Sequence, residues 1–226
     1  MNIIPTLLTT TIEEFIIQMD LFQKYYSRIQ LDVTDGELVP NMTTQIDEMV
    51  ELIANKKVEV LPDVSFDFHL MVKDYELALE KIVRLQKLGM KVNLSLINAG
   101  LHPDIPTLNP QYQFSIGLDI SPNVLIDSIA LHYDLSYIPS IQIMTVEPGF
   151  QGSPFLEEML KKIEQLRTQG YSGEIMIDGG VNEKTIPIIS SKTYTPDYLC
   201  IGSYLTKAGD IFEKRVSELK ELSKKK

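Results

Sequence analysis

The sequence is poor in cysteine. One thiol, Cys200, excludes a disulfide within the chain and fits a reducing compartment. It also has no apolar stretch of membrane-spanning length and no basic-then-apolar leader, so a soluble, cytoplasmic protein without membrane partners is expected. Basic residues are the minority: 21 Lys and Arg stand against 31 Asp and Glu, a formal charge of -10. That balance argues against a nucleic-acid partner, which would leave a basic footprint. It does not exclude a phosphorylated ligand, because backbone amides alone can hold phosphate. Linkers and low-complexity segments are missing too, apart from the terminal SKKK, so residues 1–226 read as a single domain. With 44% hydrophobic residues the chain is no disordered segment and has enough apolar material for a sizeable core.

Eight short apolar runs end in polar or Gly/Pro signals: 2–8, 26–33, 64–72, 91–98, 112–120, 137–146, 173–180 and 197–203. Segments with helical apolar spacing follow them, clearest at 11–25, 74–89, 154–170 and 208–226. The first follows a threonine run that can cap it, and the second stops at Gly89. The weakest helix expectation is 103–110, where PDIPTLNP carries three prolines. Strand and helix in alternation imply βαβ units and a parallel sheet. Eight such units in this length suit a closed (β/α)8 TIM barrel.

In such a barrel the chemistry sits at the C-terminal ends of the strands. Asp32 falls near the end of the second run, His69 of the third, Met144 of the sixth and Asp178 of the seventh. Two carboxylates and an imidazole at one mouth suggest a divalent metal, a proton-transfer pair, or both. Each residue alone has a plainer reading. Asp32 or Asp178 could cap a turn, His69 could be a satisfied core histidine, and Asp35 before Gly36 reads as turn chemistry. The three together are harder to explain that way. Glycines form a second group, at EPGFQG (147–152), DGGV (178–181) and IGS (201–203). Loops after the seventh and eighth strands of a barrel often bind phosphate through backbone N–H groups. Cys200 reads as packing, and His102 and His132 as surface residues. The last helix is amphipathic, with charges suited to a solvated outer face.

The segments IIPTLL, LDVTDGELVPNMT, DFHLMV, MTVEPGFQGSPF, MIDGGVN and IGS, in that order, resemble the ribulose-phosphate 3-epimerase family from end to end. The resemblance implies a barrel of the ribulose-phosphate-binding type and an isomerase of the pentose phosphate or related carbohydrate metabolism. Such an enzyme inverts C3 of a ketose phosphate through a cis-enediolate. It further implies Asp32 and Asp178 as acid and base on opposite faces of the sugar. One divalent metal (Zn, Mn, Mg or Fe) would be held by Asp32, His69, Asp178 and the residue at position 30. Thr6, Met71, Met144, Gly149 and Gly152 would contact the substrate, with a loop around 148–152 closing over it. Gly180, Val181, Gly202 and Ser203 would bind the phosphate. A homo-oligomer is implied as well.

The sequence departs from this family at several positions. Gln30 replaces the first metal-binding histidine, Thr6 a serine and Thr34 a methionine. Ser153-Pro154 stands in the loop after the sixth strand, and Ser95 takes a histidine's place on the fourth. Gln30 leaves three outcomes open: a harder metal with Gln30 as ligand or water-holder, zinc held weakly by three residues, or no metal. A ketose-phosphate epimerase is the leading expectation, and a non-catalytic or metal-impaired sugar-phosphate-binding protein the alternative. A decarboxylase or aldolase ranks last, because none of the eight runs ends in the lysine such chemistry generally uses.

Overall fold

The structure is a computed structural model and describes residues 1–147 and 153–223. Eight parallel strands close into a barrel: β1 (Asn2–Leu7), β2 (Arg28–Thr34), β3 (Ser65–Met71), β4 (Lys91–Asn98), β5 (Ser115–Ile120), β6 (Ser140–Met144), β7 (Glu174–Asp178) and β8 (Tyr198–Ile201). Each strand pairs with its successor, and β8 returns to β1. The helices are α1 (Ile12–Phe22), α2 (Ile46–Ala54), α3 (Tyr75–Lys87), α4 (Ile105–Leu108), α5 (Ile126–His132), α6 (Lys161–Thr168), α7 (Thr185–Ser190), α8 (Ser203–Thr206) and α9 (Phe212–Leu222).

The helices form where apolar residues recur on one face. In α3 the buried set is Ala78, Leu79, Ile82 and Leu85, and in α9 it is Phe212, Val216 and Leu219. Starts are capped: Thr11 accepts from the Glu14 N–H, and Asp74 from the Leu77 N–H. The proline-rich stretch 103–110 yields one short helical turn, α4, continued by a 3-10 turn over Asn109–Gln111. The segment 154–170 becomes helical later than its apolar spacing suggests, through a 3-10 turn at Glu157–Leu160 leading into α6.

The apolar core has two parts. The larger lies between the outward strand faces and the helices, and includes Phe66, Phe68, Ile141, Ile143 and Ile175. The smaller fills the barrel itself, with Ile4, Leu94, Leu96, Met176 and Cys200. Alternation along each strand therefore sends one residue in two to the barrel axis. Register then sets the heights. Asp32 pairs with His69, Thr34 with Met71, Thr6 with Gln30, and Asp178 with both Met144 and Cys200.

Candidate active site

Because β2, β3 and β7 point the same way, their C-terminal ends bring Asp32, His69 and Asp178 to one mouth. One potential ligand atom from each lies within 4.8 Å of the others. All three side chains are buried. His69 Nδ1 is 3.4 Å from Asp32 Oδ1 and 3.7 Å from Asp178 Oδ2, and its Nε2 is 3.5 Å from Asp119 Oδ2. These approaches lack hydrogen-bond alignment, so both ring nitrogens are buried without a bonded partner. A buried imidazole in that condition needs an explanation. A divalent cation supplies one: Asp32, His69 and Asp178 fit the donor set in chemistry and spacing, with Asp119 behind the ring as an orienting carboxylate.

Gln30 occupies the gap between the two aspartates. Its Nε2 donates to Asp32 Oδ1 at 2.9 Å and to Asp178 Oδ2 at 2.8 Å. Gln142, on β6, donates to the same Asp178 oxygen at 3.2 Å. The Cys200 thiol lies 3.5 Å from the side-chain oxygen of each glutamine. Cys200 is thus packed inside the barrel, as expected of an apolar strand residue, and is also part of the polar network under the acids.

The charges are tightly linked. Burial pushes the Asp178 carboxyl up to about 7; the Asp32 charge adds to that rise, while His69 and the Gln30 amide oppose it. Burial disfavours charge on His69, but Asp119 and Asp32 outweigh it and hold the imidazole well above its ordinary range. Burial, followed by the Asp178 charge, keeps the Cys200 thiol protonated. Asp35 is turn chemistry, as its position before Gly36 suggests. It accepts from the N–H groups of Glu37, Leu38 and Lys73. Burial works against its ionised form, yet those three bonds prevail and lower its pKa.

The remaining expected residues fall as follows. Thr6 is buried on β1 beside Gln30, and Met71 and Met144 are buried at the ends of β3 and β6. Gly180 lies in the loop after β7 with a φ of +66°, which favours glycine, and a Cβ there would meet the Phe155 Cβ at 2.9 Å. The Val181 side chain packs into the core. Gly202 and Ser203 form the turn from β8 into α8. Gly149 and Gly152, with the rest of the loop at 148–152, lie outside the described residues. Ser95, on β4, is buried and alternates away from Leu94 and Leu96, which face the barrel interior. Lys73, just past the third run, reaches exposed Glu37 at 3.7 Å. His102 and His132 are exposed, with rings 5.0 Å apart.

Sequence reasoning passed over Asp119, Gln142 and Asn98. Asp119 sits one residue from the end of β5, as a strand-end acid like Asp32 and Asp178, and that signal was available. Asn98 donates to Asp119 at 2.9 Å and fixes it behind His69.

A closed parallel barrel with an acid pair and an imidazole at its mouth defines the class: a TIM barrel with a built site for proton transfer or a metal. Solved structures agree on the fold. A chain of the tryptophan synthase a2b2 complex of Pyrococcus furiosus superposes with a TM-score of 0.67 at 10% identity, covering 97% of this chain and 98% of that one. A Mycobacterium tuberculosis tryptophan synthase structure gives 0.64 at 11% identity, covering 100% and 93%. The particular family comes from sequence. The model described as "Ribulose-phosphate 3 epimerase family" matches residues 2–206, and the chain belongs to that family. The ribulose-phosphate 3-epimerase of Methanocaldococcus jannaschii is 32% identical over 171 residues, 70% of this chain and 64% of that protein. The cytoplasmic isoform of Oryza sativa is 26% identical over 164 residues, 72% of this chain and 69% of that protein.

Proposed function

We propose that this protein is a ketose-phosphate 3-epimerase acting on ribulose 5-phosphate, or a close pentulose or hexulose phosphate, with Asp32 and Asp178 as the acid and base. The observation that carries the reading is the pair itself: two buried carboxylates from β2 and β7 share the amide of Gln30 at the barrel mouth.

Epimerisation removes the C3 proton from one face and returns one to the other, so it needs an acid and a base held apart in protonation state. With no cation bound, burial raises Asp178 to about 7, so it can hold a proton near neutral pH; a bound cation would favour its ionised form, and one aspartate would give the proton as the other accepts. In the reverse direction the roles exchange. With no cation bound, Asp119 and Asp32 favour a protonated His69; as a metal ligand the imidazole would be neutral, and the cation would carry the positive charge that offsets an enediolate oxygen. Asp32, His69 and Asp178 would hold one divalent cation (Zn, Mn, Mg or Fe). Bound there, it would act as a Lewis acid that offsets negative charge on the substrate oxygens. Thr6, Met71 and Met144 would line the sugar. The phosphate would lie against the backbone of Gly180, Val181, Gly202 and Ser203. Gly149 and Gly152 would belong to the covering loop.

Among the described residues no helix is long and apolar enough to cross a membrane. A cytoplasmic homo-oligomer of one barrel per chain is part of this proposal and rests on family resemblance. The test is deuterium incorporation at C3 in heavy water, over a panel of ketose phosphates with divalent metal supplied. Exchange with at least one of them is expected. Binding without exchange would identify a non-catalytic sugar-phosphate-binding protein, and neither would overturn the reading.

A further inference from the structure

Position 30 holds a carboxamide whose two ends differ chemically, and the surroundings decide which way it faces. On one side lie Asp32 Oδ1 and Asp178 Oδ2, which accept hydrogen bonds when ionised. On the other lies Cys200, whose only polar hydrogen is its S–H. The amide nitrogen has two hydrogens, one for each carboxylate. Its oxygen then receives the thiol. Turning the group over would set an oxygen against the Asp32 carboxylate and an NH2 against the S–H. Gln142 likewise donates to Asp178 Oδ2, and its oxygen also lies 3.5 Å from the Cys200 sulfur, so the one S–H is shared between two amide oxygens. Both glutamines have a relative exposure of 0%, and Cys200 of 1%, so water cannot substitute for either partner.

We infer that Gln30 and Gln142, keyed by the Cys200 thiol, form a cradle that holds the two aspartates together by hydrogen bonds, and that Gln30 is a donor to the metal-binding carboxylates and not itself a metal ligand. The inference rests on the metal reading given above and goes beyond it. A cation would then be held by Asp32, His69 and Asp178 alone. It would compete with the Gln30 amide for the same carboxylate lone pairs. The cradle is therefore an antagonist of the cation and a substitute for one of its tasks, keeping two like charges side by side.

The test is Mn²⁺ titration of the metal-free protein, followed by the loss of the free-ion EPR signal, with no substrate present. Gln30→Leu, close in size, removes the competing donors without adding a ligand. We expect it to bind Mn²⁺ about tenfold or more tightly than the unaltered protein, the factor that one relinquished hydrogen bond to a charged group corresponds to. Unchanged or weaker binding would make Gln30 a ligand or a bystander and overturn the inference. Cys200→Ala removes the key. It leaves the Gln30 oxygen without a donor, which loosens the amide's hold on the carboxylates and should raise affinity as well, and no change would overturn the thiol's part. Should the variants not fold, NMR of the unaltered metal-free protein decides. Two glutamine side-chain NH2 groups should exchange slowly with solvent, and Mn²⁺ or Mg²⁺ should speed the exchange of one of them. Fast exchange of both before metal is added would contradict the cradle. If no form binds Mn²⁺, the metal reading fails, and the exchange measurement still tests the cradle.

Discussion

The barrel buries charge at two heights, and the two clusters are built on opposite terms. At the floor, Arg28 Nε meets Asp67 Oδ2 at 2.7 Å, Asn93 donates to the other Asp67 oxygen at 2.9 Å, and the guanidinium lies 4.5 Å from the Tyr198 ring centroid. Glu174 adds a looser contact at 3.6 Å. Asp67 is thus matched by a fixed cation and hydrogen bonds on both oxygens. Burial still raises its pKa, against the pull of Arg28. At the mouth, Asp32, Asp119 and Asp178 gather around His69, with no arginine or lysine bonded to any of them among the described residues. The floor is charge-paired, although Arg28 Nη2 has only the 3.6 Å approach to Glu174 and no hydrogen bond. At the mouth the carboxylates have no such fixed cation and neither His69 ring nitrogen has a hydrogen bond, a setting that suits a cation, a substrate or both. Aspartates thus meet a fixed cation in one layer and an imidazole in the next.

The sharpest way to break this comparison is to neutralise acids at the mouth. Asp32→Asn and Asp178→Asn should each lower kcat/KM by about a hundred- to ten-thousandfold, the range for losing a general acid or base. Circular dichroism should show the fold intact. At the floor the balance reverses. Arg28→Ala leaves Asp67 buried without its cation and should lower stability by about 3–5 kcal/mol in urea unfolding, with kcat per folded molecule little altered. A large kcat loss at the floor, or a large stability loss at the mouth, would erase the distinction.

A gentler probe is pH. The Asp178 carboxyl rises from 3.8 in the unfolded chain to about 7 in the folded metal-free protein, so the folded form holds the extra proton between those values. Its contribution to stability is therefore lost as pH rises from about 4 towards 7. His69, raised above its ordinary value, adds a loss of the same sign at higher pH. Metal-free protein should unfold at lower urea as pH increases over this span, and Asp178→Asn should flatten the trend up to pH 7. The smallest expected effect lies outside both clusters. The Ser95 hydroxyl is buried with no hydrogen-bond partner, so Ser95→Ala should be neutral or stabilising by up to about 1 kcal/mol.

Much of this was legible in the sequence. The eight strands show because each is a short apolar run closed by turn residues. Asp32, His69 and Asp178 show because a polar residue ending such a run is conspicuous. The floor and the cradle do not show. Arg28 reads as one polar letter in the run 26–33, and nothing local says that Asp67, on the neighbouring strand, reaches its guanidinium. Gln142 is a lone polar letter in SIQIM, and Cys200 a thiol in YLCI. Their partners lie 36 and 170 residues away in sequence, reached only because the barrel closes. Polar residues facing a barrel axis declare their roles through register, which the apolar pattern fixes without naming the pairs.

The most direct measurement of the central claim is C3–H exchange in heavy water with each aspartate variant and each C3 epimer. If Asp32 and Asp178 act from opposite faces, each Asn variant should exchange the C3 hydrogen of one epimer without inverting it, and the two variants should favour opposite epimers. Loss of exchange with both epimers in one variant, with the other unaffected, would contradict the account.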